Sequence, residues 1–190
     1  MHSVFIFDYD STIAKIPINW PEARKEYRSY LDELLPDLAI PDSARVDEME
    51  SLALHFDPEK KEEIFSYRNR LETEADGRHI AIDETCALVG RLRESSDHRL
   101  FIVSNNLHRT VAAGLKQLGF SDAFTKILGV DDVGIPKPAT DAFEILRESH
   151  HLDPADCIFI GDNDRTDGGF CRALKIPFIN IKQQSLAIDL

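Results

Sequence analysis

The chain has 190 residues, 43% of them hydrophobic and 29% charged, the balance of one globular domain or of one domain with a modest insertion. Its formal charge is −12 with a pI near 5.0, which argues against a broad electrostatic grip on nucleic acid or on an acidic membrane surface. No apolar run approaches the roughly 18 residues of a membrane span, and the N-terminus meets acids too early for a signal peptide. The three cysteines, Cys86, Cys157 and Cys171, have no CxxC spacing and read as reduced thiols of a cytoplasmic protein.

The first apolar run, Val4-Phe5-Ile6-Phe7, is short, rich in β-branched and aromatic residues, and ended by Asp8, which predicts a buried strand. Residues 14–82 then break the pattern. They hold no convincing strand, only helical segments over about 21–35, 43–56 and 58–75. Tyr27, Tyr30, Leu31, Leu34 and Leu35 give the first an apolar side, and Ile64, Tyr67 and Leu71 do so for the last. Residues 83–94 predict a helix capped by Asp83, with Cys86, Val89 and Leu92 on one stripe. A second strand, Leu100–Val103, ends in Ser104-Asn105. The helix after it carries Leu107, Val111, Leu115 and Leu118 and stops at Gly119. A weaker strand over 125–128 and a helix over 139–149 follow. Then come a third apolar strand, Cys157–Ile160, a helix over 165–174, a weak strand over 177–181 and a short tail, 182–190.

From residue 83 onward helices and strands alternate, which predicts an α/β fold. The core is a Rossmann-like open parallel sheet with helices on both faces, and a small all-α unit is inserted after the first strand. The expected division is a core of residues 1–13 and 83–190 and a helical cap of residues 14–82.

Ligands of open α/β sheets bind beyond the carboxyl ends of the strands, so the residues that end strands are the candidates. The first strand ends Asp8-Tyr9-Asp10-Ser11-Thr12, the second Ser104-Asn105-Asn106, and the third Gly161-Asp162-Asn163-Asp164-Arg165-Thr166-Asp167. Singly, the first reads equally as a turn or a helix cap, and the second more often as a helix cap. The third reads as a surface turn or a weak calcium-like loop, though it lacks the glycine and terminal glutamate spacing of an EF-hand. Jointly they bring carboxylates from neighbouring strands together, and those repel unless a cation lies between them. A hard divalent ion with oxygen ligands meets that need, and Mg²⁺ suits carboxylates plus phosphate. Lys137 lies between Pro136 and Pro138, which hold its backbone in an extended path.

In this order, the motifs Asp8-Tyr9-Asp10-Ser11-Thr12, Ser104-Asn105, Lys137-Pro138, and Gly161-Asp162 with Asp167 resemble those of the haloacid dehalogenase superfamily. The resemblance is to the phosphatase type with a helical cap inserted after the first strand, and it covers nearly the whole chain. It implies a Mg²⁺-dependent phosphomonoester hydrolase of a small phosphorylated metabolite, working through a phospho-aspartate. Asp8 would be the nucleophile, Asp10 the general acid and then base, and Lys137 the fixed positive charge. Ser104 and the Asn105 backbone N–H would hold phosphate oxygens at the start of the following helix, and Thr12 would brace the loop. Mg²⁺ would be bound by Asp8, the Asp10 carbonyl and Asp162. Asp167 would bind a metal water or orient Lys137, and the pattern leaves the role of Asp164 open.

Asp10 stands where the dehalogenases themselves have a tyrosine, which disfavours the namesake reaction. A phosphomutase of a sugar phosphate shares the aspartate pair, and a non-catalytic binding or regulatory protein on the same fold is the alternative from another class. Ser11 departs from the glycine many relatives carry. The cap would close over the site and choose the leaving group. Its candidates are Lys15, Trp20, Arg24, Arg68, Arg70, Arg78 and His79. Trp20 reads as hinge packing or as a stacking surface, each arginine as a solvated helix face or a carboxylate contact, and His55 as a helix-surface or core residue. Neither the substrate nor the oligomeric state is legible.

Overall fold

The computed structural model describes residues 3–184 and 186. In chain order its elements are β1 (Val4–Phe7), β2 (Ala14–Lys15), α1 (Trp20–Leu34), α2 (Val46–Phe56), α3 (Lys61–Glu74), β3 (Ile80–Ala81), α4 (Asp83–Arg93) and β4 (Arg99–Val103). These are followed by α5 (His108–Leu118), β5 (Lys126–Leu128), the single turn α6 (Val130–Val133), α7 (Asp141–His150), β6 (Cys157–Gly161), α8 (Asp167–Leu174) and β7 (Phe178–Asn180). Of the tail expected over 182–190, residue 185 and residues 187–190 lie outside the described residues. Among the described residues no helix is long and apolar enough to cross a membrane.

The sheet runs β5-β4-β1-β6-β7 with every pairing parallel. β1 lies at its centre, and the period of two splits its side chains between two cores. Phe5 and Phe7 pack with Leu88, Leu92, Val111 and Leu115 of α4 and α5, while Val4 and Ile6 pack with Phe143, Leu146 and Phe170 of α7 and α8. Burial on both faces explains why β1, β4 and β6 are continuous apolar runs. The inserted helices α1–α3 build a third core from Tyr27, Leu31, Leu35, Met49, Ala53, Ile64 and Tyr67.

Two expectations are corrected. Residues 14–82 do contain strand: β2 and β3 pair antiparallel, Ala14 with Ala81 and Lys15 with Ile80. A ladder of two residues on each side is too short to show alternation, and its partner is distant in sequence. The ladder ties the start of the inserted unit to its end. Asp83 is not the cap of α4; the cap is Ile82, and Asp83 lies in the first helical turn, where a carboxylate suits the helix dipole. Gly119 ends α5 in the left-handed conformation, φ 78°, as its position predicts.

Beneath the end of β1, Tyr9 is fully buried and its hydroxyl lies 2.6 Å from His79 Nδ1. Gly114 of α5 makes room for this pair, since a Cβ there would lie 1.7 Å from Tyr9 Oη and 2.2 Å from His79 Nδ1. Gly114→Ala should therefore destabilise the fold by roughly 1–3 kcal/mol in denaturant melts. Gly90→Ala in α4, where a Cβ meets nothing within 4 Å, should stabilise by up to about 1 kcal/mol. Equal effects of the two substitutions would contradict the packing described.

Candidate active site

Parallel pairing carries past the end of β1: the Asp8 N–H donates to the Ile160 carbonyl at 2.9 Å, which places Asp8 beside Gly161. The chain then turns tightly, with the N–H groups of Thr12, Ile13 and Ala14 all directed at the Tyr9 carbonyl. Ser11 adopts φ 63°, the left-handed region in which glycine carries no steric penalty. Tyr9 points into the core and Asp8 and Asp10 line a cavity.

The Asp8 carboxylate is gripped on both oxygens. Oδ1 accepts from Lys137 Nζ at 2.8 Å and Oδ2 from Thr12 Oγ1 at 3.2 Å. Lys137, only 3% exposed, also contacts Asp167 Oδ1 at 2.7 Å. Burial alone would pull the lysine's pKa down, but Asp167 and Asp8 reverse this and hold it above its ordinary value. Asp167 in turn accepts the N–H groups of Asp162 and Asn163 on Oδ2, both at 3.2 Å. A Cβ on residue 161 would lie 2.4 Å from that oxygen, so the approach requires Gly161. Likewise a Cβ on Gly169 would lie 2.8 Å from Pro138 Cβ, so the start of α8 packs against the Lys137-Pro138 segment through bare backbone.

Asn105 clamps the lysine's backbone: its Oδ1 accepts the Lys137 N–H at 2.8 Å and its Nδ2 donates to the Lys137 carbonyl at 3.1 Å. Ser104 Oγ is engaged with Asn106, accepting its N–H at 3.1 Å and donating to Oδ1 at 3.2 Å. α5 starts at His108, with Leu107 extended as its cap, so a turn separates Asn105 from the helix. This corrects the expectation that the Asn105 amide opens that helix.

Both oxygens of Asp10 are occupied as well, Oδ1 by the Ile16 N–H at 2.9 Å and Oδ2 by Trp20 Nε1–H at 3.1 Å. Burial pushes the Asp10 carboxyl up to about 6 against the pull of these two donors. Asp8 is pushed up to about 7, first by burial and then by the Asp167 and Asp162 carboxylates, despite Lys137. Carboxylate oxygens of Asp8, Asp162 and Asp167 lie within 4.8 Å of one another. A hard divalent cation fits this donor set: all its groups are carboxylates, and their crowding raises Asp8 where a cation would lower it. Asp162 Oδ2 is paired with Lys182, a contact from the turn after β7 for which the sequence holds no signal. Asp164 faces away, accepting from Asn180 Nδ2 at 2.9 Å and Gln183 Nε2 at 2.7 Å, and ties this loop to the end of β7.

Asp8, Asp10, Asn105, Lys137 and Asp162 therefore line one cavity, while Thr12, Ser104 and Asp167 stand behind them. From the inserted helices the cavity takes Trp20, Arg24 and Arg68; Lys15, Arg70, Arg78 and His79 are not in its wall, and His55 is exposed. Trp20 neither packs only as a hinge nor offers only a stacking face, since its N–H holds Asp10. The reading of Arg68 as a solvated helix face is overturned. It is 4% exposed, paired with Glu50 and with Glu72 at 2.9 Å, and it donates to the Asn105 carbonyl. Glu72 also accepts Asn106 Nδ2 at 3.0 Å and the Leu107 N–H at 3.1 Å, so α3 grips the turn that follows β4.

The profile of the haloacid dehalogenase-like hydrolase family matches residues 2–174. Pyrophosphatase PpaX of Listeria innocua is 27% identical over 177 residues, covering 85% of this chain and 75% of that one. Pyrophosphatase PpaX of Bacillus velezensis is 30% identical over 119 residues, covering 63% of this chain; the match spans about half, 48%, of that relative. The crystal structure of a HAD phosphatase from Thermococcus onnurineus superposes with a TM-score of 0.62 at 19% identity, over 95% of this chain and 86% of that one, a likeness of fold.

The raised carboxyls have a measurable consequence. Folding lifts Asp8 from 3.8 to about 7 and Asp10 from 3.8 to about 6, so the native state holds protons that the unfolded chain releases. The stability this gives is complete below about pH 4 and lost as pH rises through about 6 to 7. The Tm of metal-free protein should fall over that range. Asp8→Asn should flatten the fall, and Mg²⁺ at about pH 8 should raise the Tm of the unsubstituted protein more than that of Asp8→Asn. A metal-free Tm that climbs from about pH 5 to pH 8 would contradict this electrostatic account.

Proposed function

The chain belongs to the haloacid dehalogenase-like hydrolase family, and we propose that it is a Mg²⁺-dependent phosphatase of small phosphorylated metabolites with Asp8 as its nucleophile. The observation that carries this reading is the placement of two carboxylates two residues apart, Asp8 and Asp10, on one cavity wall, with the Lys137 ammonium 2.8 Å from Asp8. In the first step an Asp8 oxygen forms a bond to phosphorus while the bond to the leaving oxygen breaks, and Asp10 gives that oxygen its proton. In the second step Asp10 takes a proton from water as the water oxygen bonds to phosphorus and Asp8 is released. A carboxyl lifted to about 6 suits an acid that must also serve as base near neutrality.

Lys137 supplies a fixed positive charge to the transferring group, with its backbone clamped by Asn105 and its ammonium aimed by Asp167. The Asn105 N–H holds a phosphoryl oxygen. Mg²⁺ would be held by Asp8, Asp162 and the Asp10 carbonyl, with Asp167 behind Lys137; when bound, it offsets negative charge on the phosphoryl oxygens. Residues 14–82 act as a cap over the site, and the three free thiols suit a reducing cytoplasm. The two relatives named pyrophosphatases make inorganic pyrophosphate a substrate to assay beside phosphate monoesters.

Hydrolysis of p-nitrophenyl phosphate should require Mg²⁺ and stop with chelator, and Asp8→Asn should lower kcat by about 10³-fold or more. Activity that survives in Asp8→Asn would mean that another group is the nucleophile. Conversion of a sugar phosphate to its isomer with little phosphate release would favour the mutase instead.

A further inference from the structure

The cavity extends well beyond the phosphoryl site, with a volume of about 1140 Å³, above the roughly 300–1,000 Å³ usual for small-molecule sites. One wall of it is not used by the chemistry above. Trp20, Arg24 and Arg28 recur every fourth residue along α1, and all three line the cavity. Trp20 marks the catalytic end of this stripe through its bond to Asp10. At 1.5 Å of rise per residue, Arg24 stands about 6 Å and Arg28 about 12 Å farther along the helix axis.

Both guanidinium groups are held by backbone carbonyls. Arg24 Nη2 donates to the Asp42 carbonyl, Arg28 Nη1 to that of Ile40 at 3.0 Å, and Arg28 Nη2 to that of Pro41. These bonds fix the side chains without neutralising them, and among the described residues neither arginine has a carboxylate partner. Lys25 and Arg45 stand on the same wall. The opposing acids there are Asp42 and Asp47, and Asp47 is taken by Arg165 at 3.2 Å. A chain of net charge −12 thus turns a cationic surface into its cavity.

We infer that this face of α1 binds a second anionic group, a carboxylate or a phosphoryl, on the leaving portion of the substrate, and that Arg24 is the residue that holds it. The inference rests on the phosphatase reading for its orientation: the leaving oxygen takes its proton from Asp10, and Trp20 joins Asp10 to the start of the stripe. The leaving portion therefore departs along Trp20 toward Arg24. Arg24 spends one terminal nitrogen on a carbonyl and keeps its other N–H groups for a forked pair with an anion. Arg28 has both terminal nitrogens on carbonyls and contributes charge. A substrate with a neutral leaving portion would strip water from this wall without replacing its hydrogen bonds, which sets the preference.

The test measures binding apart from turnover. In isothermal calorimetry with Mg²⁺ present, phosphonoacetate should bind at least about 10-fold more tightly than ethylphosphonate. Arg24→Ala should erase most of that difference, and Arg24→Lys should restore part of it. In parallel, the ratio of kcat/KM for a carboxylate-bearing phosphate ester, and separately for pyrophosphate, over that for p-nitrophenyl phosphate should fall about 10-fold or more in Arg24→Ala. The arm that falls furthest identifies carboxylate or phosphoryl as the group held. Equal affinity for the two phosphonates, or an equal loss for both in Arg24→Ala, would overturn the inference. A calorimetric preference in a protein that hydrolyses no phosphate ester would instead reject the phosphatase reading and leave the anion site standing.

Discussion

Lys137 holds its ammonium between two carboxylates, 2.8 Å from Asp8 Oδ1 and 2.7 Å from Asp167 Oδ1, almost wholly out of solvent. An ammonium so placed persists only because both partners face it. Four segments distant in sequence must converge to make that arrangement. The register of β1 on β6 sets Asp8 beside Gly161, and the missing Cβ of Gly161 admits the Asp167 carboxylate from the start of α8. The Asn105 side chain, at the end of β4, fixes the lysine's backbone. The parallel sheet is thus the frame on which one buried charge cluster is aligned.

The same cluster accounts for how an acidic protein would take the anion proposed as its substrate. Lys137 answers two carboxylates, and Asp10 and Asp162 add further negative charge at the same strand ends. The cluster carries more carboxylates than Lys137 can answer, and the Asp8 carboxyl is lifted to about 7, first by its burial and then by the Asp167 and Asp162 carboxylates. A divalent cation would relieve that crowding and at once make the site attractive to a phosphoryl group. On the proposed reading part of the −12 charge would serve to hold a cation, while the cations of α1 line the far side of the cavity.

Much of this was legible in sequence because it lies at the ends of strands buried on both faces. The apolar runs at 4–7, 100–103 and 157–160 announce themselves, and the acids that end them fall at the mouth of the sheet. What escaped depends on contacts between distant elements. The β2–β3 ladder joins two-residue segments at either end of the insertion. The spacing of Arg68 and Glu72 is visible in sequence, yet pairs with that spacing are ordinary on helix surfaces; only Glu50 from α2 and the Asn105 carbonyl show that this one is buried. The Trp20 bond to Asp10 and the Lys182 contact with Asp162 likewise arise only when the chain has folded. Ser11 is the reverse case: its φ of 63° accounts for the glycine that many relatives carry at this position, while the serine itself has no structural explanation.

If the buried cluster exists to prepare Asp8 for attack on phosphorus, the phosphoryl group must pass through that side chain. Protein mixed with radiolabelled phosphate ester and Mg²⁺, quenched in acid during turnover and digested, should yield a hydroxylamine-labile label on the peptide that carries Asp8. Label on any other residue, or steady turnover with no acyl phosphate trapped at any time point, would contradict the account.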